Sequence, residues 1–306
     1  MILVTGAAGY IGSFFIHYLK KKNKHIQLRA VDSFEGGQLQ RVGDVPVEKV
    51  DLTNREEVEP LMKDITVVVH CAAMSAIPDC ETYSQRAILT NVLTVYNLLE
   101  EGSKHKLKKI IFPSSFAVYA PNQAHISEQS QVSPYNFYGH LKQWGEQLIL
   151  AYHKQANIDY VIFRQTNVCG KGLVEKGTVL QLMCQAIKKD KPLTVFGSGK
   201  QMRNFIHIND VVRYYEEALT SHTGIYNLGG PESLSIKDLA HRMTWVAKKQ
   251  LNKEVEVVFQ PSDREGKELT TPNFFCDISK LTKDFRRAPS YGVNEMIGDM
   301  LLDQKR

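Results

Sequence analysis

No apolar run in the 306 residues approaches the ~20 that a membrane-spanning helix needs, so no membrane partner is expected. A signal-peptide pattern is also missing, because "MILVTGAAG" enters a strand-like run at once and then turns. Cysteine is sparse. The five thiols, at 71, 80, 169, 184 and 276, include no Cys-x-x-Cys pair, and the ten histidines form no ligand pair at helical spacing. This pattern excludes a disulfide framework and predicts no metal site, only buried thiols in a reducing cytoplasm. Charge of one sign is scarce too, the net being +5. The densest basic cluster, "KKKNKH" at 20–25, has no aromatic interleaved and reads as a solvated helix end, so no nucleic-acid partner is predicted. Internal repeats and low-complexity linkers are absent as well.

What remains is a soluble globular balance, 43% hydrophobic and 23% charged, in a chain too long for one small core. Short apolar runs at 2–4, 26–31, 47–50, 67–69, 110–112 and 161–163 read as strands, and helical patterns fill 10–22, 54–63, 85–104 and 138–156. Strands apolar on both faces, each followed by a helix, predict a parallel sheet covered on both sides. Thr53 with Glu56 makes a capping-box pattern for the second helix. Past about residue 167 the alternation breaks. A helix over 178–189, the turn "FGSGKQ", a strand "FIHI", a helix over 209–220 and a strand "IYNL" follow, and the last three read as a return to the sheet. The expected organisation is an α/β sheet domain over 1–167, with 205–230 returning to it, and a smaller lid built from 168–204 and 231–306.

"TGAAGYIG" places Gly6, Gly9 and Gly12 directly after the first strand. Backbone there approaches a pyrophosphate closely, and the following helix supplies free N–H groups and a positive dipole end. Asp32 follows at the end of the second strand, where an acid hydrogen-bonds an adenosine ribose. Its charge would repel a 2′-phosphate and Ser33 offers no cation, so NAD is preferred over NADP. Further along, "SPYNFYGHLK" holds two phenols and a lysine. Tyr138 has Lys142 at i+4, whereas Tyr135 has Gly139 there. A neighbouring cation favours the phenolate, so Tyr138 is the candidate acid–base group, with its pKa expected to be held down by Lys142. Tyr135 reads as a packing or rim residue.

These stretches, together with "HCAA" at 70–73 and "SSFAVY" at 114–119, resemble the extended short-chain dehydrogenase/reductases, and among them the NAD-dependent nucleotide-sugar epimerases and dehydratases. "NVLTVYNLLE", "FRQTNVCG", "FGSGKQMRNFIHINDVV", "YNLGG" and "CDISKL" follow in that family's order. The resemblance implies a Rossmann-type doubly wound sheet. It also implies a catalytic Ser115, Tyr138 and Lys142. In the family the serine hydrogen-bonds the reacting sugar hydroxyl, the tyrosine exchanges its proton, and the lysine binds the nicotinamide ribose. For NAD it implies Gly6, Ala8, Gly9, Tyr10, Ile11, Gly12, Asp32, Asp51, Leu52, Cys71, Ala72, Ala73, Asn91, Ser114 and Gln165, besides Tyr138 and Lys142. For the nucleotide-sugar it implies Met74, Phe116, Asn167, Phe196, Arg203 and Arg264 alongside Ser115 and Tyr138, so that an anionic sugar nucleotide would lie between sheet domain and lid.

Which reaction follows depends on two positions in this resemblance. Sugar dehydratases carry an Asp-Glu pair after the catalytic serine, decarboxylases a glutamate and 3,5-epimerising relatives a cysteine at the second position. Here they are Phe116 and Ala117, which can transfer no proton. That leaves C4 epimerisation of a UDP-hexose or UDP-N-acetylhexosamine through a 4-keto sugar. The alternatives are reduction of a 4-keto sugar, a specialised dehydratase, or an inactive NAD-binding sensor or scaffold. The chain departs from the family at Leu141, where a serine is usual, at Asn204, where an aspartate follows the arginine, and at Lys267, where an acid is expected. The helices over 85–104 and 138–156 build the family's dimer bundle, so a homodimer is expected.

Overall fold

Strand Ile2–Thr5 is wholly apolar apart from its last residue, and its neighbours explain why. It lies in the middle of an eight-stranded sheet whose order is Gly224–Leu228, Asp159–Gln165, Lys109–Ser115, Val67–His70, Ile2–Thr5, Leu28–Asp32, Val45–Lys49 and Arg41–Val42. From Asp159–Gln165 to Val45–Lys49 the ladders are parallel, and Arg41–Val42 closes the edge as an antiparallel hairpin. The computed structural model describes residues 1–121, 123–261 and 274–302.

Both faces of this sheet are buried, which accounts for the unbroken apolar runs. On one face Leu3, Val31, Val68, Ile110 and Ile162 meet Val58, Leu61, Val95, Leu98, Ile149 and Tyr152 from the covering helices. On the other, Phe163 stacks on Tyr215 at 5.3 Å, and Tyr215 meets Phe15 of helix Tyr10–Lys22 edge-on at 5.8 Å. The doubly wound Rossmann-type sheet is therefore present.

The chain divides into two units. The first holds residues 1–120, 131–165 and 212–226, and the second holds 121–130, 166–211 and 227 onward. In the second, helices Val179–Lys188, Ile236–Leu251 and Val293–Leu301 enclose a core of Leu180, Leu239, Met243, Ile297 and their neighbours. The "FIHI" strand corrects the sequence reading. It is part of Met202–His207, which pairs with Asn167–Cys169 and Ser233–Ser235 in a separate sheet, and only Gly224–Leu228 joins the large one. Apolar alternation cannot tell which sheet a strand joins, because both bury one of its faces.

Two local details also differ from expectation. Helix Arg55–Met62 is capped by Asn54, whose side chain accepts from Glu56 N–H, since Asp51 captures both the N–H and the hydroxyl of Thr53. The long helix over 84–104 contains a π turn at Leu89–Leu93, with Asn91 buried at its centre. Among the described residues no helix is long and apolar enough to cross a membrane.

Candidate active site

The glycine-rich turn has almost no room. Gly6 takes φ +61°, and a Cβ on it would stand 2.6 Å from the Ala72 nitrogen. Gly9 caps helix Tyr10–Lys22 and brings no side chain to its start, where the helix's positive end favours an anion. Asp32 faces this turn. Its Oδ2 accepts from Ala8 N–H at 3.0 Å and its Oδ1 from Phe34 N–H at 2.8 Å. Each oxygen keeps a further lone pair for a ribose hydroxyl. A cradle that a Cβ would fill, an open helix start and an oriented carboxylate fit a dinucleotide.

Behind the turn lies a ladder that the sequence reading missed. Thr94 Oγ1 donates to Thr90 O at 2.7 Å, so it accepts from His70 Nε2 at 3.3 Å, and His70 Nδ1 in turn accepts from Thr5 Oγ1 at 2.9 Å. Thr5 Oγ1 receives Ala72 N–H at 3.2 Å, which pins the "CAA" segment to the sheet. Burial, then the Lys142 charge, pushes the His70 pKa down to about 3, so the ring is neutral. Cys71 is half-buried, and Met74, like Tyr138, packs against the buried cluster of Cys80, Ala87 and Leu141. Asn91 Nδ2 donates to Ala87 O at 3.0 Å, while its buried Oδ1 has no partner among the described residues.

The catalytic candidates converge in the first unit. Asn136 caps helix Phe137–Ala156 by accepting from Gly139 N–H at 2.8 Å, which puts Tyr138 in the first turn and Lys142 one turn on. Ser115 ends strand Lys109–Ser115. Its Oγ accepts from Ala117 N–H at 3.1 Å, and the turn that follows packs on the start of the Tyr138 helix, where a Cβ on Gly139 would have no room against Ala117 O. Tyr135, by contrast, is 54% exposed.

One expectation is overturned. Lys142 does not hold the Tyr138 pKa down. Burial pushes the phenol above its ordinary value, with the neighbouring Ser115 hydroxyl opposing. Lys142 Nζ instead donates to Pro113 O at 2.8 Å and lies 5.9 Å from the Tyr138 ring centroid. Desolvation outweighs a charge that is engaged elsewhere, so the chain's own groups hold Tyr138 protonated.

The remaining residues divide between the units. Gln165 Oε1 accepts from Tyr215 at 2.9 Å, and Leu52 O accepts from Asn97 at 2.9 Å. The carboxylate of Asp51 serves its own turn, and the Ser114 hydroxyl is directed inward to Glu146. Phe116 meets Tyr119 edge-on at 5.2 Å. In the second unit, Asn167 Nδ2 donates to Asn204 O at 3.0 Å, Arg203 Nη1 donates to Met202 O at 2.9 Å, and Phe196 is 55% exposed. Arg264 and Lys267 lie outside the described residues. Asn204 accounts for its own departure from the family. Its amide donates to Gly230 O, Glu232 O and Ser233 Oγ while its oxygen accepts from Gly230 N–H, and an aspartate could not make the donations.

A Rossmann-type sheet with a glycine cradle and a Ser-Tyr-Lys constellation defines a dinucleotide-dependent enzyme of the short-chain dehydrogenase/reductase type. The chain belongs to the NAD-dependent epimerase/dehydratase family, whose model matches residues 2–229. Its cofactor is NAD. An uncharacterized UDP-glucose epimerase of Bacillus subtilis is 29% identical over 310 residues, covering 96% of this chain and 94% of that protein. UDP-glucuronic acid decarboxylase 1 of Arabidopsis thaliana is 25% identical over 312 residues, covering 99% of this chain and 69% of that protein. The UDP-glucuronic acid 4-epimerase of Bacillus cereus, solved with UDP-glucuronic acid and NAD, superposes with a TM-score of 0.84. It is 29% identical, and the match covers 98% of this chain and 97% of that one.

Proposed function

We propose that the chain epimerises C4 of a UDP-sugar, a UDP-hexose or UDP-N-acetylhexosamine, through a 4-keto intermediate. The observation that carries this reading is that the turn after Ser115 packs on the start of the helix bearing Tyr138 and Lys142, while the two positions after the serine, Phe116 and Ala117, offer no second acid or base. NAD, when bound, supplies the acceptor and donor of the C4 hydride and a ring charge that favours the phenolate. Tyr138 takes the proton of the 4-hydroxyl and returns it, and Ser115 hydrogen-bonds the same oxygen. Lys142, fixed on Pro113 O, is assigned to the nicotinamide ribose, as the resemblance implies. We assign the cofactor contacts of Gly6 to Gly12, Asp32, the 71–73 segment, Asn91 and Gln165, and the sugar-nucleotide contacts of Asn167, Phe196 and Arg203, as the resemblance implies them. Ala117 weighs against the decarboxylation of the Arabidopsis relative, because that position can transfer no proton.

The reading extends to assembly and place. Ile88, Leu89 and Tyr96 on one helical segment, and Trp144 on helix Phe137–Ala156, are exposed apolar side chains, and we assign them to a homodimer interface. Five free cysteines accord with a reducing cytoplasm.

The test is to incubate the purified protein, without added cofactor, with UDP-glucose, UDP-N-acetylglucosamine and UDP-glucuronic acid, and to follow each sugar by proton NMR. Interconversion at C4 is expected with one of them. No exchange, with NAD found bound, would replace this reading by a 4-keto-sugar reductase or a dehydratase.

A further inference from the structure

The end of strand Lys109–Ser115 is held by one stripe of helix Phe137–Ala156. Two consecutive strand residues each meet one helix residue, and the two helix residues are spaced by one turn. Lys142 Nζ donates to Pro113 O at 2.8 Å and Ser114 Oγ donates to Glu146 Oε1 at 2.5 Å, while the turn after Ser115 packs on Gly139, where a Cβ would have no room against Ala117 O. Positions 138, 142 and 146 share one face, so a slip or rotation of the helix would disturb both hydrogen bonds and move Tyr138 with them.

Glu146 is the member of this stripe that the mechanism does not use. It is 3% exposed and takes a bidentate fork from Arg164, Nε at 3.0 Å and Nη2 at 2.7 Å. Arg164 sits on the neighbouring strand, in register with Ser114. Its guanidinium lies over the Tyr119 ring, 4.8 Å from the centroid. Tyr119 N–H in turn donates to Phe116 O at 3.1 Å, closing the short turn that follows Ser115. The pair therefore grips Ser114 on one side of Ser115 and Tyr119 on the other. Burial opposes the charge on Arg164, and the Glu146 contacts outweigh it. Such a buried pair adds little net stability compared with apolar side chains of like volume, and its use lies in fixing one geometry.

We propose that the Arg164–Glu146 pair is the positioning device of the active site, setting where Ser115 stands relative to Tyr138 through Ser114 and Tyr119. The proposal rests on the assignment of Ser115 and Tyr138 to the chemistry. Neither Glu146 nor Arg164 touches the reacting atoms.

Ser114→Ala removes one hydroxyl and leaves the ion pair intact. Ser114→Thr restores the hydroxyl, and Glu146→Met with Arg164→Met replaces the pair by apolar groups. For Ser114→Ala, compared at equal NAD occupancy, the expected result is a kcat roughly tenfold or more below wild type, with KM and Tm unchanged and with recovery in Ser114→Thr. The double variant should melt within a few degrees of wild type and lose at least as much kcat. Full kcat in Ser114→Ala overturns the proposal, as does a fall explained by lost NAD. Crystal structures of wild type and Ser114→Ala keep the test independent of substrate. A Ser115–Tyr138 separation in the variant that differs from wild type supports the inference, and an unchanged one overturns it. If no UDP-sugar turns over in wild type, the reaction assignment fails while the crystallographic comparison still decides the positioning role.

Discussion

At the scale of single residues, charge and burial compete, and burial wins twice. Tyr138 is pushed toward its protonated form by desolvation despite a lysine one turn away. Replacing it by phenylalanine removes the only exchangeable proton of that ring. Tyr138→Phe should lower kcat by about 10²–10⁴-fold while bound NAD, measured after denaturing the protein, stays near wild type. His70 is the second case. Its folded pKa is about 3 against an ordinary 6.5, so between those values the unfolded chain binds a proton that the native one does not. The stability from keeping His70 neutral is fully present above about pH 6.5 and is lost progressively as pH falls toward 3. His70→Gln, which cannot titrate, should flatten the dependence of Tm on pH over that window. A wild-type slope in the variant would show that other groups cause it.

At the scale of elements, much was legible and the gaps have causes. The first helix spans Tyr10–Lys22 as its periodicity predicts, because Gly9 opens it and a basic last turn follows. The Tyr138–Lys142 helix was equally plain. Its start was not, since Asn136 caps it only once Gly139 N–H is presented to the side chain. The π turn at 89–93 leaves no mark in apolar spacing, because one extra residue in a buried helix shifts the register without changing composition. Asn204 shows how a departure in sequence becomes a requirement in structure. Asn204→Asp would leave Gly230 O, Glu232 O and Ser233 Oγ without their donor and bury a charge. It should destabilise the protein by about 1–3 kcal/mol, measured as a lowered denaturant midpoint with unchanged slope.

At the scale of the whole molecule, a prediction belongs to the helices that carry Ile88, Leu89, Tyr96 and Trp144. If these pair between two copies, Trp144→Glu should convert a dimer to a monomer at micromolar concentration, read by light scattering, with NAD still bound. Elution of wild type as a monomer would remove the interface. The match over residues 2–229 and the TM-score of 0.84 with the Bacillus cereus epimerase agree with the order of motifs along the chain.

By itself the sequence determined the parallel sheet, the glycine turn with Asp32 after the second strand, and the Tyr138–Lys142 pair, whereas Ser115 was named through the family resemblance. Each of these depends on contacts local in the chain: periodicity, a turn that only glycine allows, and a four-residue helical spacing. The tertiary structure alone decided that "FIHI" belongs to a separate sheet, that Lys142 bonds Pro113 rather than setting the phenol's charge state, and that Glu146 and Arg164 stand beneath Ser115. Those depend on which strand lies next to which and on how much water is removed from a group, and neither quantity is written in the order of residues.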